Sequence, residues 1–137
     1  MPLNTLHHCS IRTVKLHMTR DFYVDVLGME DGERPPFDFP GHWLYLGDHP
    51  VVHLIGIDPD DDEGLVEYLG NQNVESLEGS GAVDHIAFNI TESDEVRQRI
   101  EQHGVSYQER EVPGMGLLQF FLKDPNGISI ELNYWAN

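Results

Sequence analysis

The sequence predicts an α+β fold in which two like halves form a curved mixed β-sheet around a cleft, with helices on the outside. The halves begin alike, because residues 6–11 and 83–88 are both short segments that combine histidine with apolar residues. They also end alike, with apolar strand patterns at residues 51–55 and 129–132. Each half has too few strands to bury a core, so the repeat predicts that the two pack side by side.

In the first half, the pattern predicts one strand, one helix and then three strands. Residues 8–14 suit a short strand, and Thr19 begins a helix that ends where Gly28 can supply a positive φ. The apolar face of that helix consists of Phe22, Tyr23, Val26 and Leu27. Turn residues then separate two later strands at residues 43–46 and 51–57.

The second half repeats this order. A strand over residues 84–90 precedes a helix that starts at Ser93 and ends near Gly104. Three further strands are predicted at residues 105–110, 117–122 and 128–134. The same strand and helix patterns therefore recur in the same sequence order.

The chain is predicted to be a single domain, because 137 residues supply about one hydrophobic core. Module one covers residues 1–57 and module two covers residues 82–137. An acidic, glycine-punctuated linker at residues 58–81 joins them, with a short helix around residues 65–69.

Charge excludes several classes of partner. The chain has 24 acidic and 8 basic residues, a formal net charge of −16, so it should repel nucleic acid and anionic membranes. No apolar run approaches the ~20 residues of a membrane span, and no signal peptide is predicted. The one cysteine, Cys9, excludes an internal disulfide and reads as a small core residue. These features predict a cytoplasmic protein whose partner is a small molecule.

The repeat also carries metal-ligand residue types at matching places. His8 and His85 stand 77 positions apart, and His53 and Glu131 stand 78 apart. Because strand side chains alternate between faces, all four would converge if their faces line one cleft. A single buried histidine is more often a hydrogen-bonded core residue than a ligand, but the matching phase in both halves favours ligands. His7 is the main rival to His8.

Three imidazoles and one carboxylate suit Zn, Ni, Co, Mn or Fe. A divalent cation would also offset the cost of burying the charge of Glu131. Two histidines and one carboxylate that leave coordination positions of the metal open are equally typical of non-haem Fe(II) oxygen chemistry. Of the other histidines, His42 could lie at the rim of the cleft, and the remaining ones read as solvated: His17, His49 and His103.

Four segments resemble the vicinal oxygen chelate superfamily, which includes glyoxalase I, methylmalonyl-CoA epimerase, fosfomycin-resistance and bleomycin-resistance proteins and extradiol dioxygenases. The segments are residues 6–8, 21–28, 84–88 and 124–132. The resemblance implies two tandem βαβββ modules, a half-open β-barrel and a divalent metal inside it. The implied ligands are His8, His53, His85 and Glu131, and the implied assembly is a homodimer. The sequence departs from glyoxalase I in having His53 where that enzyme has a Glu.

The first functional hypothesis is a metal-dependent lyase or isomerase of the glyoxalase type. The metal would bind vicinal oxygens of a small substrate and stabilise an enediolate, while Glu131 or His53 moves a proton between carbons. By strand alternation, Arg12 lies on the same strand face as His8, and Asn89 lies on the same face as His85. Both would therefore face the cleft and orient the substrate. An apolar wall is expected from Leu44 beside His53 and from Phe120 beside Glu131.

Two alternatives stay open at the level of sequence. An Fe(II) dioxygenase for catechol-like substrates would use His8, His85 and Glu131 as ligands and His53 as acid or base. A non-enzymatic binder of a planar drug or metabolite is the other alternative. The intact set of donor residues counts against it.

Overall fold

The computed structural model describes residues 5–58, 60, 61, 63–69, 78, 79, 81 and 83–136, and they form two four-stranded mixed sheets. The first sheet has the strand order β1-β4-β3-β2 and the second has the order β5-β8-β7-β6. In each sheet the first and last strands pair in parallel and the other pairs are antiparallel. The two sheets are therefore copies of one topology, as a duplicated chain predicts.

The first module contains one helix and four strands. Helix α1, Leu16–Asp21, continues into a π-helical turn, Phe22–Val26, which ends before Gly28 at a φ of 81°. A positive φ suits glycine because the residue has no Cβ, so Gly28 releases the chain from the helix. The strands are β1 Cys9–Thr13, β2 Glu30–Gly32, β3 Gly41–Leu46 and β4 His49–Gly56.

The second module follows the same order after the short helix α2, Glu63–Leu69. Helix α3 spans Ser93–Gln102, and Gly104 takes a φ of 67° just beyond its end. The strands are β5 Ile86–Ile90, β6 Tyr107–Val112, β7 Leu117–Lys123 and β8 Ser129–Trp135. Each module is thus a βαβββ unit.

One apolar core joins the helices of both modules to one face of each sheet. Tyr23 and Ile100 from the helices and Leu44 and Phe120 from the strands are all fully buried in it. Because strand residues alternate, the opposite face of each sheet is left for polar side chains. That opposite face carries the candidate site.

A buried polar network ties the modules together. The Tyr23 hydroxyl donates to Asp124 Oδ2 at 3.1 Å, and the Thr13 hydroxyl donates to Asn126 Oδ1 at 2.6 Å. Asn126 Nδ2 donates in turn to the Thr19 hydroxyl at 2.9 Å. The turn before β8 is therefore anchored to the helix and first strand of the other module.

The predicted order of strands and helices is confirmed, and several boundaries move. Helix α1 begins at Leu16, three residues before the predicted start, and β6 begins at Tyr107 and not at residue 105. The sheets are not strongly curled, so the structure supports two mixed sheets and does not show a barrel. Part of the predicted linker at residues 58–81 lies outside the described residues. The proposed division into modules and linker stays a prediction.

Candidate functional site

The four predicted ligands occupy equivalent positions in the two modules. His8 immediately precedes β1, and His85 immediately precedes β5. In the parallel pairs, His53 lies opposite Ser10 and Glu131 lies opposite Ala87, each two residues beyond the histidine that precedes the first strand. The duplication therefore produces two matching pairs, His8 with His53 and His85 with Glu131.

The first pair is part of a column of aromatic rings. The His8 and His53 rings stack with centroids 3.8 Å apart and planes within 8° of parallel. Trp43 stacks on the other side of His53 at 4.1 Å, because the register places Trp43 opposite His53 on the neighbouring strand. His8 is exposed, and its Nδ1 lies 2.9 Å from Nδ1 of His7. His7, the alternative ligand predicted in place of His8, thus contacts His8 on the exposed side of the pair.

His53 is a buried imidazole with a spare nitrogen. Its side chain sits between two rings, and within the described residues Nε2 has no hydrogen-bond partner. Burial, and then the nearby His8, lower the pKa of His53 to about 4. His53 is therefore neutral at physiological pH, which is the protonation state in which imidazole can bind a metal.

The lowered pKa of His53 predicts how stability depends on pH. The unfolded chain binds a proton near the ordinary pKa of 6.5 and the folded chain does so only near 4, so the free energy of unfolding should fall as pH drops from 7 to 4. We expect about 2 to 3 kcal/mol of this loss to come from His53. Urea unfolding of His53→Gln should show a correspondingly shallower pH dependence, and the exposed control His49→Gln should not. Equal slopes for the two variants would refute the assignment.

The second pair is more open. His85 Nε2 lies 3.8 Å from Glu131 Oε2, and His85 Nδ1 lies 2.8 Å from Asp84 Oδ2. The hydrogen bond with Asp84, and then the charge of Glu131, raise the pKa of His85. Glu131 Oε2 also accepts a hydrogen bond from Asn133 Nδ2 at 3.0 Å, and Asn133 Oδ1 accepts one from Gln119 Nε2 at 3.0 Å. The carboxylate is therefore held in place while part of it still faces solvent.

The two pairs open onto different concavities of the chain. His8 and His53 line a cavity of about 510 Å³ together with aromatic residues of the β2–β3 loop, and His85 and Glu131 line an open cavity of about 990 Å³. These cavities share no lining residue. Within the described part of the chain, no three histidine, cysteine or acidic side chains come together as metal ligands do.

The predicted apolar wall is wrong by one residue along each strand. Trp43 lies opposite His53, and Leu44 pairs with Val52. Phe121 lies opposite Glu131, and Phe120 pairs with Leu132. Leu44 and Phe120 have no exposed surface and point into the helix-side core, because a shift of one residue moves a strand side chain to the other face.

The other predicted site residues do not line the cavities of the two pairs. Arg12 lines a third cavity together with Ser10, and Asn89 is an exposed residue of β5 opposite Asn133. Nδ1 of His42, which was predicted at the rim, lies 2.9 Å from Asp31 Oδ2. Cys9 is half-buried, and burial raises the pKa of its thiol, in agreement with a core role.

Sequence reasoning missed Arg34. This residue lines the cavity of the first pair with Phe37, Phe39 and Trp43, and its charge contributes to lowering the pKa of His53. The signal in the sequence is the proline-rich aromatic segment at residues 34–41. Only the fold shows that this loop faces His53.

Comparisons with known proteins agree with this architecture. A model of the Glyoxalase/Bleomycin resistance protein/Dioxygenase superfamily matches residues 5–132. The chain is 30% identical to a lactoylglutathione lyase of Salmonella typhimurium over 132 residues, which cover 93% of this chain and 90% of that protein.

Two solved structures share the fold. Lactoylglutathione lyase from Agrobacterium tumefaciens superimposes with a TM-score of 0.66 at 20% identity, covering 98% of this chain and 96% of that one. A fosfomycin resistance protein from Listeria monocytogenes superimposes with a TM-score of 0.67 at 18% identity, covering 96% and 93%. Among the described residues, no helix is long and apolar enough to cross a membrane.

Proposed function

Because this chain belongs to the Glyoxalase/Bleomycin resistance protein/Dioxygenase superfamily, we propose that it is a divalent-metal-dependent lyase or isomerase acting on a small substrate with two vicinal oxygens. The 30% identity to a lactoylglutathione lyase supports a lyase. The observation that carries the metal dependence is His53, whose buried Nε2 is unpaired among the described residues. An unpaired buried nitrogen is costly, and a cation would satisfy it.

The donor types fit a divalent cation such as Zn, Ni, Co, Mn or Fe, but among the described residues of one chain no three such donors come together. Catalytic zinc sites, for comparison, use three protein ligands. The rings of His8 and His53 are also stacked in nearly parallel planes, an arrangement in which two imidazoles do not direct their nitrogens at one common atom. His8 would have to tilt, which its exposed position before β1 allows.

A homodimer supplies the missing donors. In a two-fold dimer every contact occurs twice, so the His8–His53 pair of one chain facing the His85–Glu131 pair of its partner would create two equivalent four-donor sites. The half-open barrel expected from the sequence would then be built from sheets of both chains. This arrangement accounts for two matching pairs that open onto separate cavities in one chain.

A bound divalent cation would polarise the substrate oxygens and offset the negative charge that develops when a proton leaves the adjacent carbon. Glu131 would accept that proton and return it to the neighbouring carbon, because its carboxylate is held by Asn133 and remains 16% exposed. His53 is neutral and is the second candidate for the proton carrier. Arg12 pairs with Ile55 and Asn89 pairs with Asn133, each two residues along the strand from His53 or Glu131, and from there both would orient the substrate.

Trp43 and Phe121 provide the wall that flanks the two pairs. They lie directly opposite His53 and Glu131, and neither is fully buried. Leu44 and Phe120 support these strands from the core side and do not reach the cleft. An apolar wall beside the donors would exclude water from the substrate.

The function is tested by elemental analysis of freshly purified protein and by an assay of thioester formation from methylglyoxal and glutathione. Zn, Ni or Co with thioester formation would support the lyase. Iron with oxygen uptake on a catechol would favour the dioxygenase alternative. No metal and no turnover under any supplied cation would refute the proposal.

Complementation tests whether two chains share the site. Co-expressed His53→Ala and Glu131→Ala chains form mixed dimers in which one site carries both substitutions and the other carries neither. Random pairing makes half of the dimers mixed, so about a quarter of wild-type activity should return. Each variant alone should be inactive in the thioester assay.

The control is a chain that carries both substitutions, co-expressed with a His53→Ala chain. No dimer then contains an intact shared site, so activity should stay absent. Failure of the first mixture to regain activity, despite mixed dimers shown by mass spectrometry, would mean that each chain builds its own site.

A further inference from the structure

Arg34 is a cation held by aromatic rings in the wall of the first cavity. Its guanidinium carbon lies 5.1 Å from the centre of the Phe37 ring and 5.0 Å from that of the Phe39 ring. The two rings stack on each other at 5.1 Å, and Arg34 Nη2 donates a hydrogen bond to the Phe39 carbonyl oxygen at 2.8 Å. The loop between β2 and β3 is thus wrapped around this side chain.

Among the residues that the structure describes, no acidic side chain matches the charge of Arg34. The chain contains 24 acidic residues, yet within the described residues no carboxylate lies at ion-pair distance from Arg34. Arg20 and Arg97, by contrast, each contact two carboxylates. Arg34 Nε is buried without a hydrogen-bond partner among those residues, and burial lowers the pKa of the group. A half-buried, unmatched guanidinium favours an incoming anion.

The backbone at Gly41 leaves space for the Arg34 side chain. A Cβ at Gly41 would lie 2.9 Å from Arg34 Nη2 and 2.4 Å from the Leu54 carbonyl oxygen. Both distances are too short for a real side chain, so a glycine at the start of β3 allows the guanidinium to pack against the strand. Gly41 therefore leaves room for the guanidinium, which the hydrogen bond to the Phe39 carbonyl holds there.

The neighbours of Arg34 define what else a ligand must contain. The same cavity is lined by Phe37, Trp43 and the His8–His53 pair. The ring centroids of Phe37 and Trp43 lie 6.3 Å apart, and the Trp43 ring stacks on the His53 ring. Flat apolar surfaces on this wall suit a planar group, since aromatic rings stack favourably.

We propose, on the premise of the function given above, that Arg34 binds a carboxylate of the substrate while the aromatic wall holds a planar apolar part of it. The substrate class is then a small acid in which a planar group lies near the vicinal oxygens. Arg34 is a specificity-determining residue, because its positive charge distinguishes a carboxylate from a neutral amide.

The test compares binding of phenylglyoxylate with that of its neutral amide to full-length protein treated with EDTA. Trp43 fluorescence reports binding in a Trp135→Phe background, because Trp135 is the other tryptophan of the chain. We expect phenylglyoxylate to bind at least about tenfold more tightly than the amide. In Arg34→Met this preference should disappear, and Arg34→Lys should keep part of it.

The matched control is Arg99→Met, which removes a half-buried arginine of α3 that contacts Glu95 and the Asp25 carbonyl oxygen and does not line the cavity of the first pair. It should leave the preference unchanged. Equal affinity of the parent protein for acid and amide overturns the proposal, even if Arg34→Met fails to fold. A preference that survives in folded Arg34→Met also overturns it. Because no metal or turnover is involved, these outcomes are separate from failure of the thioester assay.

Discussion

Glu131→Gln is expected to lower kcat for thioester formation by about 10³-fold, within the range that positioned acid–base groups contribute. Glutamine keeps the shape of the side chain and can still accept the hydrogen bond from Asn133, but it cannot take up a proton. It also removes the negative charge from the His85–Glu131 pair, so the metal content of the purified protein should fall. Steady-state kinetics with elemental analysis would measure both effects.

Glu111→Gln is the matched control for charge. Glu111 is an exposed residue of β6, so its neutralisation changes the net charge equally without touching either donor pair. We expect kcat within about twofold of the parent, as for surface changes remote from a site. A Glu131→Gln enzyme that retains more than a tenth of the parent kcat would eliminate Glu131 as the proton carrier.

Asp124→Ala is expected to reduce the free energy of unfolding by about 3 to 5 kcal/mol, because it leaves several buried donors without an acceptor. Asp124 accepts hydrogen bonds from the Tyr23 hydroxyl and from the backbone N–H groups of Asn126 and Ile128. Burial, and then the charge of Asp124, raise the pKa of Tyr23, so its hydroxyl stays protonated as a donor. Urea unfolding at pH 7 would measure the loss.

Asp25→Ala provides the comparison, since Asp25 is an exposed residue of the helical segment and alanine favours helix. Its unfolding free energy should change by about 0.5 kcal/mol or less. Similar losses for the two variants would show that the network between modules contributes little. A loss for Asp124→Ala well below the expected value, yet larger than that for Asp25→Ala, would mean that water replaces part of the carboxylate's hydrogen bonding.

The duplication could be predicted from the sequence because the spacing of residues can be read without knowing the fold. His8 and His85, like His53 and Glu131, take equivalent places before and within their strands, as the spacing predicts. Their role as metal ligands stays a prediction. The helix start at Leu16 was missed because the segment before Thr19 lacks a capping signal, and its N-cap Lys15 makes no side-chain hydrogen bond.

The sequence by itself determined the class of fold, the repeat and the donor residue types, because periodicity and side-chain chemistry are local properties. Only the tertiary structure decided the strand register, which places Trp43 and not Leu44 opposite His53. Register depends on which strands pair and how they are aligned, and a shift of one residue exchanges the two faces. The structure alone also showed that the four donors form two separated pairs, since distances between modules arise from packing and not from sequence spacing.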